Sequence, residues 1–174
     1  MTPPLFMLST PYQGGDLNGW IVQEKLDGCR ACWDGRALWS RGGNPVKLHP
    51  TLKRELPPKQ VLDGELINVE RGLAGAADFM KTGRGWDACR FFVFDAPAYP
   101  GPYEERYAWL QRTPHEDRCL RIVSGTVAAN TSWVLGLSQQ MRRRGAEGLM
   151  AWNPAGLWVP GRTRDVLKLK EDPQ

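Results

Sequence analysis

The chain has 174 residues, 41% of them hydrophobic and 24% charged, with a net charge of +4. That length suits one domain with a real core, and the composition excludes a disordered or low-complexity chain. The start "MTPPLFMLSTPYQGG" lacks a basic n-region and a long apolar run, so neither a signal peptide nor a membrane span is expected and the chain is placed in the cytoplasm.

In chain order, "WIVQEK" (20–25) is rich in large apolar and β-branched residues and predicts a strand. "CRACW" (29–33) and "RALWS" (36–40) flank Asp34-Gly35, which predicts a two-residue hairpin turn. "QVLDGELINV" (60–69) is the next strand, and "RFFVFDAP" (90–97) is an apolar run ended by proline, as in a fully buried strand. "GPYEERYAWLQR" (101–112) predicts a helix with Tyr103, Tyr107 and Leu110 on one face. "SWVLGLSQQMRRRG" (132–145) predicts a second, with Val134, Leu137, Gln140 and Met141 at helical spacing and a glycine stop. "EGLMAW" (147–152) and "DVLKLK" (165–170) close the series as strands. Strands in groups, with helices inserted singly, imply an α+β domain on antiparallel sheets.

Of the four cysteines, Cys29 and Cys32 form a lone Cys-x-x-Cys, with no second pair at zinc spacing and with His49 and His115 isolated. Residues three apart in a strand point to opposite faces, so these thiols read as buried and reduced rather than as a redox or zinc pair. The basic residues crowd into "MRRRG" (141–145) and "GRTRDVLKLK" (161–170), which suits a polyanionic partner as well as a solvated face.

Several polar residues sit on or beside the apolar strands. Lys25 ends the first and is followed by Asp27; Glu65 lies inside "LDGELI"; Glu147 begins "EGLM". Lys168 and Lys170 alternate with Leu167 and Leu169, which puts both lysines on one face. Lysines that neutralise phosphates, beside carboxylates that hold Mg²⁺ or accept from a ribose hydroxyl, suit a nucleotide. Each piece alone is bland: Lys-x-Asp-Gly is also a hairpin turn with an exposed lysine, and "LKLK" a half-buried strand with solvated lysines.

Together and in order, Lys25-Leu-Asp-Gly, "SRGG" (40–43), "LDGEL" (62–66), "FFVFD" (91–95), "EGLM" (147–150) and "LKLK" (167–170) resemble the nucleotidyltransferase motifs of ATP-dependent DNA ligases. The flavour is that of the small bacterial and phage enzymes. The resemblance implies a nucleotidyltransferase (ATP-grasp-like ligase) fold of the α+β class, two antiparallel sheets flanked by helices with a nucleotide cleft between them. It implies that Lys25 attacks the α-phosphorus of ATP, expels pyrophosphate and holds AMP, which then passes to the 5′-phosphate of a nick for sealing by the 3′-OH. Gln23 falls where the family reads the adenine amino edge, and Glu24 is grouped with it as nucleotide-binding. Arg30 and Arg41 would contact the ribose or phosphates, and later the 5′-phosphate of a nick, with Arg41 grouped as DNA-binding. Glu65 would accept from a ribose hydroxyl, Phe94 would stack on adenine, and Lys168, Lys170 and Arg162 would neutralise phosphate. Glu65, Glu147 and Asp27 would serve Mg²⁺ or Mn²⁺, and Arg142, Arg143 and Arg144 would meet DNA unless they merely cap a helix C-terminus.

The implied partner is nicked double-stranded DNA, with no membrane, and the implied state a monomer serving replication, repair or phage nucleic-acid metabolism. Residues 1–170 are expected to form the adenylating domain, with 171–174 ("EDPQ") a short tail and no oligonucleotide-binding domain. Met1 and the chain's own end read as natural termini of a minimal stand-alone enzyme; a fragment, or a half that depends on a separate protein for the missing clamp, are the alternatives. The rival functions are RNA end-sealing or capping-type guanylyl transfer, and a non-catalytic nucleic-acid-binding remnant of the fold.

Overall fold

The computed structural model describes residues 5–113 and 119–170. His115 and the 171–174 tail lie outside them. Among the described residues, ten strands and four α-helices divide into two units of discontinuous sequence. Of the described residues, the first unit takes Leu5, Phe6, 27–100, 106–113 and 119–122; the second takes 7–26, 101–105 and 123–170.

The first unit is built on a sheet of β3 (Cys29–Trp33), β4 (Leu38–Ser40), β5 (Leu62–Asn68), β6 (Cys89–Asp95) and β7 (Leu120–Ile122), in the order β4-β3-β5-β6-β7. One face of it carries Ala31, Trp33, Leu62, Leu66, Phe91 and Val93. That face packs on Leu52 and Leu56 from and just after α1 (Pro50–Glu55), Phe79 of α2 (Gly72–Thr82) and Leu110 of α3 (Tyr103–Arg112). Odd-numbered residues of β3 face this core, so Cys29 packs against it while Cys32 shares the other face with Arg30. The two thiols diverge, as alternation requires.

The turn between β3 and β4 is displaced by one residue from the expected Asp34-Gly35. Asp34 pairs with Ala37 (N–H to carbonyl, 3.0 Å), so the two loop residues are Gly35 and Arg36, with Gly35 at φ 90°. The Asp34 carboxylate closes the loop by accepting from the N–H groups of Arg36 (2.8 Å) and Ala37 (2.7 Å) and from Trp39 Nε1 (2.8 Å). Burial pushes its acidity the other way, but these donors win and hold the carboxyl below its ordinary range.

The second unit carries the sheet β1-β10-β9-β2-β8, from β1 (Met7–Pro11), β2 (Ile21–Glu24), β8 (Gly125–Val127), β9 (Leu149–Trp152) and β10 (Gly161–Leu169). Val22, Leu149, Ala151, Leu167 and Leu169 face a core completed by Leu17, Ala128 and Val134 of α4 (Thr131–Arg143). Leu167 and Leu169 thus share the core face, as the alternation of "LKLK" predicts. On α4 the buried positions are Val134 and Ser138, whereas Gln140, which the helical spacing placed on the inner face, is exposed. Asn130 caps this helix, its side-chain oxygen accepting from Trp133 N (2.8 Å).

Most pairings are antiparallel, but each sheet also holds one parallel pair, β1 with β10 and β6 with β7. Helix α3 starts in the second unit, where the N–H groups of Tyr103 and Glu104 donate to the carbonyls of Gly156 (2.9 Å) and Pro154 (3.0 Å). Tyr103, Tyr107 and Leu110 are all buried, as their spacing predicts.

Candidate functional site

In the second unit, three adjacent strand ends bring the predicted lysines and carboxylate together. Gln23 of β2 stands opposite Met150 of β9, which stands opposite Lys168 of β10, so all three share the face turned away from the core. Two residues on, Lys25 leaves β2, Glu147 and Gly148 lead into β9, and Lys170 leaves β10. The Lys25 N–H donates to the Gly148 carbonyl (2.9 Å), continuing the ladder one residue past the strand. Lys25 Nζ lies 2.5 Å from Glu147 Oε2, and Lys170 Nζ pairs with Oε1 of the same carboxylate. Burial raises the Glu147 carboxyl, but hydrogen bonds from Lys170 and Lys25, and their charges, outweigh it and hold the group below its ordinary range.

Gly148 is why this convergence needs "EG". A Cβ there would sit 2.1 Å from the Leu169 carbonyl oxygen, and its φ is 139°. Gly28 plays a related part after Asp27: its Cβ would meet the Leu66 carbonyl oxygen at 2.3 Å. Asp27-Gly28 is therefore no hairpin turn. It joins strands of different sheets, and the glycine allows the chain to lie directly on β5.

The other predicted residues of this unit are placed as follows. Gln23 is buried, with Nε2 3.4 Å from the Val123 carbonyl. Glu24 is exposed on the neighbouring position. Arg162 is exposed and donates to the Ser9 carbonyl (2.7 Å). Arg142 turns back on the C-terminus of α4, donating to the carbonyls of Ser138 (3.4 Å) and Lys170 (3.1 Å), while Arg143 and Arg144 are exposed.

In the first unit, chemistry again lies on the sheet face opposite the core. Arg30 and Glu65 are register partners across β3 and β5. Yet the Arg30 guanidinium turns to Asp63, with Nε to Oδ1 and Nη2 to Oδ2 both 2.7 Å. Burial works against the charge on Arg30, but Asp63 above all, then Glu65 and Asp95, raise its already high pKa further. The same guanidinium lies 4.4 Å from the centre of the Phe94 ring and 5.8 Å from that of Phe6.

Phe94 occupies a β-bulge: Gly64 pairs with Val93 and Asp63 with Asp95, leaving Phe94 as the extra residue of β6. The bulge changes which face the following residue meets, so Asp95 comes opposite Asp63 and binds Arg106 (Nε to Oδ1 2.7 Å, Nη2 to Oδ2 3.1 Å). Both Asp95 and Arg106 are fully buried. Sequence reasoning missed Asp63, Asp95 and Arg106. Their one signal is the pair of acidic residues that interrupt otherwise apolar runs, in "VLDGEL" and "FVFDAP". Asp27 and Arg41 are exposed, Arg41 in the turn after β4.

Among the described residues, no three His, Cys, Asp or Glu side chains cluster into a ready metal cage. The carboxylates on offer supply only oxygen. That donor set fits Mg²⁺, which keeps waters and is commonly held by one or two carboxylates together with substrate phosphates.

Two five-stranded sheets with their charged residues on the faces away from the cores define a mixed α+β domain of the nucleotidyltransferase class. Residues 15–170 match the family model described as the ATP dependent DNA ligase domain, and the chain belongs to that family. It is 28% identical over 168 residues to the DNA ligase of Haemophilus influenzae, covering 94% of this chain and 62% of that protein. The chain thus spans less than two thirds of that relative's length. Among solved structures, one from a structure–function study of Lig E DNA ligases, concerned with DNA binding by a minimal scaffold, is 26% identical with a TM-score of 0.84 over 97% of this chain and 69% of that one. Chlorella virus DNA ligase-adenylate shares the fold at 18% identity, with a TM-score of 0.77 over 98% of this chain and 69% of that one.

Proposed function

We propose that the chain is an ATP-dependent DNA ligase that carries AMP on Lys25. The observation that supports this most is the placement of Lys25 and Lys170 on the two oxygens of Glu147 at the ends of three adjacent strands. Lys25 Nζ, once it has given up a proton, forms a bond to the α-phosphorus of ATP while the bond to the pyrophosphate oxygen breaks. AMP then passes to the 5′-phosphate of a nick in duplex DNA, and the 3′-OH displaces it. Such transfers depend on positioning and charge neutralisation more than on covalent help from the protein.

Glu147 holds the Lys25 amine in place before substrate arrives. Lys168, on the same strand face as Gln23 and in no ion pair among the described residues, is positioned to neutralise the α-phosphate, and Lys170 and Arg162 add charge. Gln23 reads the adenine edge, whereas Glu24, opposite Leu149, stands on the other face of β2. Glu65 accepts from a ribose hydroxyl, Phe94 stacks on the base, and Arg41 meets phosphate. Glu147, Glu65 and Asp27 are the residues that would hold Mg²⁺ or Mn²⁺, which when bound supplies charge neutralisation at the phosphates.

Incubation with ATP and Mg²⁺ should yield a species heavier by one AMP in intact-mass analysis, and Lys25→Ala should abolish it. No adduct across a range of metals and pH would overturn the reading. Parallel labelling with GTP, then assays on nicked DNA and nicked RNA, separate the ligase from capping-type and RNA-sealing enzymes.

A further inference from the structure

The lysine on the second oxygen of Glu147 stands where its own sheet stops. Pairing between β9 and β10 ends at Leu149 and Leu169, one residue short of Lys170. The Lys170 side chain is 44% exposed, and an ion pair so open to water does little by itself to hold two long side chains in one geometry. The last turns of α4 reach the backbone there instead. Ser138, buried on the inner face of that helix, places Oγ 3.5 Å from the Leu169 carbonyl oxygen. One turn on, Arg142 donates from Nε to the Ser138 carbonyl (3.4 Å) and from Nη1 to the Lys170 carbonyl (3.1 Å). The first of these bonds ties the guanidinium to its own helix, and because the group is planar it also aims the second. Helix, strand end, Glu147 and Lys25 all belong to the second unit.

We propose that Arg142 is a positioning residue for adenylation: by holding the Lys170 carbonyl it fixes where that lysine leaves β10, and so keeps Glu147 set for Lys25. Ser138 supports it at the preceding residue. This rests on the nucleotide reading of the preceding subsection. It gives Arg142 a part in the step that involves no DNA, which its place in the basic run 142–144 does not suggest. Arg143 and Arg144, exposed on the same helix end, share neither of the Arg142 contacts with Ser138 and Lys170.

Single-turnover adduct formation from ATP and Mg²⁺, without DNA, separates the rate constant from the fraction of chains that react. The full chain is compared as wild type, Arg142→Ala, Arg142→Lys, Ser138→Ala, Lys170→Ala and the Arg142→Ala/Lys170→Ala pair. The expected result is that Arg142→Ala lowers the rate constant at saturating ATP about tenfold, with half-saturating ATP held within about twofold. Arg142→Lys should be as slow, because lysine keeps the charge but lacks the planar fork. Ser138→Ala should slow the step by a smaller factor. In the Lys170→Ala background, Arg142→Ala should add little further loss.

A role confined to folding would lower the reacting fraction and the melting temperature but leave the rate constant unchanged, and that result overturns the assignment. So does a wild-type rate in Arg142→Ala with weakened binding to a nicked duplex, which would make Arg142 a DNA contact. A wild-type rate in Arg142→Lys would assign the effect to charge alone, and full additivity with Lys170→Ala would show that Arg142 does not act through Lys170. Should Arg142→Ala fail to fold, as judged by its thermal melt, Arg142→Lys and Ser138→Ala carry the comparison: slower rate constants in both support the assignment and unchanged ones overturn it. A wild type that forms the adduct no faster than the variants sinks only this inference; a wild type that forms none sinks it together with the nucleotide reading.

Discussion

Lys25 and Glu147 are 122 residues apart in sequence, yet they are joined twice over. Their side chains meet at 2.5 Å, and the Lys25 N–H donates to the carbonyl of Gly148, the very next residue. The backbone bond fixes where Lys25 leaves the sheet, and the ion pair fixes where its amine points. With Lys170 on the second oxygen, Glu147 has its position determined from both sides.

The depressed acidity of Glu147 makes a pH prediction. A carboxyl whose folded pKa lies below its unfolded value near 4.5 adds stability above that value and loses it as pH falls through the folded pKa. Stability measured by urea between pH 3 and 6 should therefore fall more steeply with acid in wild type than in Glu147→Gln. Parallel curves would show that the lysine pairing contributes nothing to folding.

Gly28→Ala should cost about 1–3 kcal/mol by overpacking, because its Cβ would meet the Leu66 carbonyl oxygen at 2.3 Å. Backbone is a poor thing to displace, so the loss should appear as a lowered urea midpoint with an unchanged slope. The same substitution at Gly136, whose added Cβ meets nothing within 4 Å, should be neutral or stabilising.

Arg106→Met should destabilise the chain by about 3–5 kcal/mol, since it strands the Asp95 carboxylate in a fully buried position. Replacing both, Asp95→Leu with Arg106→Met, should recover much of that loss. Denaturant melts of the two singles and the double supply the cycle, and an additive double would show that the pair is not coupled.

Arg143→Glu should weaken binding to a nicked duplex and lower the salt dependence of log K by about one per lost phosphate contact. Arg142→Ala should differ in kind. Its guanidinium is given to the carbonyls of Ser138 and Lys170, so its loss should show in thermal stability as well as in affinity. Affinity and salt slope unchanged in Arg143→Glu would mark that residue as a solvated helix end.

What the sequence disclosed followed strict alternation. Lys168 and Lys170 could be assigned to one face because β10 keeps a period of two up to the residues that matter, whereas Lys25 joins them through the pairing of β2 and β10 with β9. The pairing of Asp95 with Arg106 escaped notice because the bulge at Phe94 inserts one residue in β6, and counting by twos across it puts Asp95 on the wrong face. Helix α2 was missed since "GLAGAADFMKT" buries only Gly75, Ala76 and Phe79, too small a stripe to show as an apolar period. Strand β1 gave no local sign, because what makes "MLSTP" a strand is β10, more than 150 residues away. The shift of the hairpin loop to Gly35-Arg36 reflects the Asp34 side chain, which bonds ahead to the loop's own N–H groups rather than occupying the turn.

The position of β10 between β1 and β9 bears on how the molecule comes into being. During synthesis, β1 emerges well before residues 161–169, its only strand neighbour among the described residues, and must wait for them. The sheet of the first unit, complete by Ile122, faces no such delay. Closing so long a loop is slow relative to local pairing. Glu147 therefore acquires Lys170 only when β10 docks, so that a chain still short of that strand on the ribosome holds Lys25 but not yet the arrangement that steadies it.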